Sequence, residues 1–100
     1  MSIPTAGWFN KGGTADRTCV CGSWQQHWVN FARKPWPVQC SVEGCNCRPT
    51  VGGHVVNPSV EGERIVPLCN SCNGLTTTFS LKGGIAVPSA NKAETCERMP

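Results

Sequence analysis

Two close pairs of cysteines, Cys40 with Cys45 and Cys69 with Cys72, constrain this chain more than any other feature. The spacing is C-x4-C, then a gap of a hairpin's length, then C-x2-C. A tetrahedral zinc ion needs four donors arriving from two directions, and thiolates spaced this way supply them. A tight turn over Cys40–Cys45 gives two, with Gly44 able to take a positive φ. A helix opening at Cys69 gives two more on one face, where the helix dipole favours thiolate over thiol. The pattern therefore predicts a zinc site of Cys40, Cys45, Cys69 and Cys72. The alternative for the same four residues is a set of buried thiols or disulfide partners.

Composition decides how much such a staple matters. Of 100 residues, 39% are hydrophobic, many of them Ala, Val or Cys, and Gly 11 with Pro 8 imply a loop-rich chain. One domain of this size sits near the lower edge of self-sufficiency and needs disulfides or metal to hold. The opening residues, MSIPTAGWFNKGG, carry neither the basic nor the apolar region of a secretory signal, and no run approaches membrane-spanning length. A cytoplasmic protein with no membrane partner is the expectation. A cytosol keeps thiols reduced, which favours metal over disulfides. The net charge of +3 comes from scattered basic residues, with no block to form an extended phosphate-binding strip. It permits contact with DNA or RNA, and leaves a protein partner equally open.

Residues 1–17 show little periodicity and read as an irregular arm, anchored by Trp8 and Phe9, ahead of a single domain over 18–100. Ser23 and Gln26 form a capping box at the start of a helix over Ser23–Arg33. Trp24, His27, Trp28 and Phe31 share one face of it, and Pro35 ends it. His54–Val56 and Arg64–Val66 are β-prone runs separated by Asn57-Pro58-Ser59 and Gly62, which predicts a hairpin. Cys69–Cys72 opens a short second helix, weakened by Gly74 and three threonines. Ile85-Ala86-Val87 reads as a short strand ended by Pro88, and the tail as one helical turn.

Four cysteines remain. Cys19 and Cys21 could hold a second metal with Cys96 and either Cys47 or His27, or all could be free thiols in a reduced cell. Cys47 could also replace Cys45 as a ligand. His27, on the aromatic helix face, reads first as a packed core residue and second as a ligand.

The segment Gly-His-Val, hairpin, Ile-Val-Pro-Leu-Cys-Asn-Ser-Cys-Asn resembles HNH nucleases, the ββα-metal variety of treble clef, over about Cys40 to Leu75. CGSW-x-x-HW and GxHV with PLC are also similar to motifs of small bacterial proteins with no assigned activity. The resemblance implies an α+β fold: a small zinc-stabilised treble-clef, HNH-like domain with a β-hairpin, short helices and long loops. It also implies a catalytic pair. His54 matches the general base that activates water, and Asn73 the helix-borne ligand to a catalytic divalent metal. The family's Asp before that His is here Gly53, which offers a hard cation no side-chain oxygen. The family's Asn in the second half of the hairpin has no match near Arg64-Ile65. Two functions follow as expectations: a zinc-stabilised HNH-like binding module contacting nucleic acid, or a metal-dependent HNH endonuclease hydrolysing phosphodiester bonds.

Overall fold

The hairpin is the centre of the molecule. A computed structural model describes residues 3–13 and 17–95. Strand β1 covers Phe9–Asn10, helix α1 Trp24–Ala32, strand β2 Val51–Asn57, strand β3 Val60–Leu68 and helix α2 Asn70–Asn73, with a 3-10 turn at Lys92–Glu94. The three strands form one antiparallel sheet in the order β1-β2-β3. The fold is a small α+β arrangement with a Cα radius of gyration of 12.4 Å, close to the roughly 13 Å of a packed 100-residue domain.

The strands are longer than the β-prone runs alone indicate. Pairing extends from Asn57 opposite Val60 out to Val51 opposite Leu68, with a register shift between Val55 and Asn57. Gly62, at φ 77, lies on the longer side of that bulge. Pro67 sits inside β3, where a missing N–H is tolerated because β3 is an edge of the sheet. Phe9–Asn10 pair with Val56 and Val55, so part of the stretch read as irregular is an edge strand. Trp8 beside it is fully buried, its indole N–H donating to the Pro4 carbonyl at 2.9 Å.

Helix α1 begins as expected: Ser23 is the N-cap, and its hydroxyl accepts from the Gln26 N–H at 3.0 Å. The reciprocal half of the capping box is missing, because the Gln26 side chain donates to Asn30 Oδ1 at 2.9 Å instead. Arg33 closes the helix at φ 58, its N–H bonded to the Val29 carbonyl. His27 and Trp28 are buried; Trp24 and Phe31 are half-buried.

The strand expected at Ile85–Val87 does not form. The Ala86 carbonyl accepts from the Trp28 indole and the Val87 carbonyl from Arg64, so side chains occupy the acceptors a ladder would need. The chain instead meets β3 at one bridge, Arg64 with Ser89, flanked by bonds from Ile65 N–H to Pro88 and from Ala90 N–H to Glu63. Among the described residues no helix is long and apolar enough to cross a membrane.

Candidate metal centre

Cys40 and Cys45 lie on the predicted turn, closed by a Cys45 N–H bond to the Val42 carbonyl at 3.0 Å, with Gly44 at φ 86. Cys69 is the N-cap of α2 and Cys72 lies in its single turn. β3 ends at Leu68, so the sheet itself delivers this second pair to the turn. The four Sγ atoms lie within 4.8 Å of one another, and Cys45 Sγ is 3.8 Å from Cys69 Sγ. Zinc–sulfur bonds of about 2.3 Å at tetrahedral angles put sulfurs about 3.8 Å apart. The group could hold a metal ion, and its chemistry fits a tetrahedral one.

Backbone donors surround the sulfurs. Cys69 N–H points at Cys40 Sγ at 3.4 Å and Cys72 N–H at Cys69 Sγ at 3.5 Å. The Cys47 N–H is the main reason the Cys45 thiol is pulled down to about 7. Burial pushes the Cys40 and Cys72 thiols up. Several thiolates so close together and partly out of water repel one another, and a divalent cation at their centre removes that cost. Lys82 adds positive charge from outside: its ammonium donates to the Cys40 carbonyl at 2.6 Å and the Cys45 carbonyl at 2.5 Å. In the sequence Lys82 stands before two glycines, a turn signal that does not announce this contact. Cys47 is exposed, with its carbonyl accepting the Cys40 N–H, and Cys45 rather than Cys47 joins the group.

Cys19, Cys21 and His27 form a second group, also within 4.8 Å. His27, expected as a core residue, is both fully buried and part of this group. Burial is the main cause lowering its pKa, partly offset by its bond to Ser89. Cys96, the other expected partner, lies outside the described residues. No disulfide joins the described cysteines.

His54 and Asn73 border one cavity of about 330 Å³ that Arg17 and Trp24 also line. They approach it from opposite faces of β2. The His54 ring packs edge-on against Trp24, with centroids 4.4 Å apart, so it faces α1. The neighbouring Gly53 faces α2: a Cβ there would lie 2.4 Å from Leu68 Cδ1 and 2.9 Å from Asn73 Oδ1. An aspartate at 53 would therefore have to move the Leu68 methyl and the Asn73 amide aside. His54 Nε2 is buried without a hydrogen-bond partner. Its pKa is lowered to about 4, first by burial and then by the Arg17 charge. Arg64 bonds the Glu61 and Val87 carbonyls. No protein-family model, curated protein or solved structure matches this chain.

Proposed function

We propose that the chain is a binding module of treble-clef, HNH-like form, braced by a zinc ion at Cys40, Cys45, Cys69 and Cys72, with a nucleic acid as partner. The convergence of four thiols from a turn and a helix start carries this reading. The order of knuckle, antiparallel hairpin and helix matches what the HNH resemblance implies. Support for nucleic acid comes from charge placement. The Trp36 indole donates to the Pro49 carbonyl at 3.1 Å, which sets the exposed Arg33 and Lys34 on a segment neighbouring the exposed Arg48. A half-buried tryptophan, set edge-on to Trp28, thus shares these two segments with three exposed cations.

Elemental analysis of purified protein tests the metal, and fluorescence anisotropy with labelled duplex DNA and single-stranded RNA tests the partner. Affinity should fall as salt rises, and changing Arg33, Lys34 and Arg48 together to alanine should flatten that dependence. No binding to either probe removes the nucleic-acid part and leaves a protein partner.

A second reading, a metal-dependent endonuclease with His54 as general base, draws on the buried and unpartnered Nε2 beside the cavity that Asn73 shares. Three observations weigh against it: Gly53 supplies no carboxylate, Asn73 sits on the opposite face of β2, and a pKa near 4 makes His54 a weak base. Plasmid cleavage with added magnesium, manganese or nickel, lost in His54→Ala, would establish the endonuclease and displace the first reading.

A further inference from the structure

We propose that Cys19, Cys21 and His27 form a three-donor site for a soft monovalent metal ion, copper(I), between the turn before α1 and the inner face of that helix. This goes beyond the four-cysteine zinc site above and does not depend on it.

The turn before α1 presents two sulfurs to one side. Gly22, at φ 108, donates its N–H to the Cys19 carbonyl at 3.0 Å, a backbone conformation that glycine adopts without strain. The Cys21 N–H points at Cys19 Sγ at 3.4 Å, a contact that favours the thiolate over the thiol. His27 follows on the inner face of α1, fully buried, with Nδ1 3.2 Å from Cys19 Sγ. Its ring also touches Trp24 and Phe31, with centroids 5.0 and 4.8 Å away, so its orientation is set by packing as well as by polar contacts. The three donor atoms lie within 4.8 Å of one another. Metal bonds of about 2.3 Å to sulfur and 2.0 Å to nitrogen, opened to a trigonal angle, put the sulfur and nitrogen about 3.7 Å apart and the two sulfurs about 4.0 Å apart. The cluster therefore has nearly the right size, and the sulfur–nitrogen contact opens by about 0.5 Å when an ion replaces the shared proton.

The far side of the imidazole fixes its role. His27 Nε2 is 2.8 Å from the Ser89 carbonyl, an acceptor only, so Nε2 carries the proton and donates. Nδ1 then turns a lone pair toward Cys19 Sγ. Metal-bound histidines show this arrangement, the second ring nitrogen held by a carbonyl. Two thiolates and an imidazole are soft donors, and soft donors select copper(I) and zinc. Donor number separates the two ions. Zinc in proteins takes four ligands, whereas the filled d shell and single charge of copper(I) are satisfied by three in a plane. Among the described residues three donors converge here, against four at the knuckle. Cys19 and His27 are buried and Cys21 is half-buried, which shields a bound ion from water and dioxygen. Each thiol releases its proton to solvent as the ion enters, and the copper stays in the +1 state.

The test uses the full chain, loaded with zinc under reducing, oxygen-free conditions and titrated with copper(I) as its acetonitrile complex against bicinchoninic acid. The wild type should hold one copper(I) against this chelator and keep its zinc. Cys19→Ser, Cys21→Ser and His27→Ala should each keep the zinc and hold the copper more weakly by at least about 10-fold, the lower bound for losing even an outer-shell partner. Copper gained only as zinc is lost would place it in the four-cysteine group and overturn the proposal. So would a second zinc bound in preference to copper(I). X-ray absorption of the copper-loaded wild type decides the matter if variants fail to fold. A copper shell of two sulfurs and one imidazole nitrogen supports the site; a shell without imidazole, or with a third sulfur, overturns it. A chain that takes up no zinc yet shows the two-sulfur, one-imidazole copper shell would count against the four-cysteine site and for this one.

Discussion

At the scale of single residues, two adjacent glycines do unlike work. A Cβ on Gly52 would meet the Trp24 carbonyl carbon and oxygen at 2.6 Å, so the start of α1 rests on bare backbone. A Cβ on Gly53 would meet a leucine methyl and an amide oxygen, both ends of side chains that can turn away. Gly52→Ala should therefore cost at least the upper end of the usual 1–3 kcal/mol for overpacking, about 3 kcal/mol, and Gly53→Ala about 1 kcal/mol. Gly83→Ala, in open space, should be close to neutral. Chemical denaturation midpoints would rank the three, and equal midpoints for Gly52→Ala and Gly83→Ala would contradict the packing argument. His54 gives a pH signature. Its pKa is near 4 when folded and about 6.5 when unfolded, so between those values the unfolded chain takes up a proton that the folded chain refuses. Stability contributed at this residue is lost as pH falls from about 6.5 to about 4, and is flat below that. In His54→Gln the extra loss should vanish, while acid effects on the cysteine groups remain common to both proteins. Matching pH curves for the two would mean that His54 is solvated.

At the scale of elements, what could be read from the sequence was what local chemistry dictates. The knuckle, the hairpin and the helix starts at Ser23 and Cys69 each follow from residues a few positions apart. The contacts that could not be read join distant segments. β1 is two residues long and exists only because β2 is beside it. Ile85–Val87 has strand composition, yet its carbonyls serve Trp28 and Arg64, which no local pattern announces. Lys82 reaches carbonyls 42 and 37 residues earlier, and next to two glycines it reads only as a turn. The Gly-Gly pair before His54 did carry a signal, since glycine inside a strand marks close backbone approach. Lys82 yields the prediction at this scale. Its ammonium holds both ends of the knuckle by their carbonyls and places a positive charge beside the sulfurs without touching them. Lys82→Met keeps the alkyl stem and removes the charge and both bonds. It should weaken zinc binding at the four-cysteine group by about 10–100-fold, the range for losing an outer-shell partner. Chelator competition on the purified variant measures this, and unchanged affinity would reduce Lys82 to a surface tie.

At the scale of the whole molecule, the two cysteine groups lie at either end of the hairpin's supports. One gathers the knuckle, the end of β3 and α2; the other gathers the turn before α1 and α1 itself, which is bonded to the Ser89 run. Between them, Trp8, Val55, Val66 and Leu68 form a core with few large side chains. Cys19, Cys40, Cys69 and Cys72 are themselves among the buried hydrophobic residues, so much of the interior consists of candidate ligands. Thiols in those positions fill space but repel when ionised, and they hold their segments together only through a shared cation. Removing metal should therefore do more than empty a site. With a strong chelator and reductant present, the near-ultraviolet circular dichroism from buried Trp8 and Trp28 should collapse, and added zinc should restore it. The Trp8 environment depends on the bridge to Phe79, and the Phe79–Lys82 run is anchored to the knuckle by Lys82 and by the Glu43 N–H bond to Ser80. Loosening the knuckle thus reaches the far edge of the sheet. A chain shown by elemental analysis to be metal-free, yet keeping its full near-ultraviolet spectrum, would mean that the apolar core suffices and that the cysteines are not its staple.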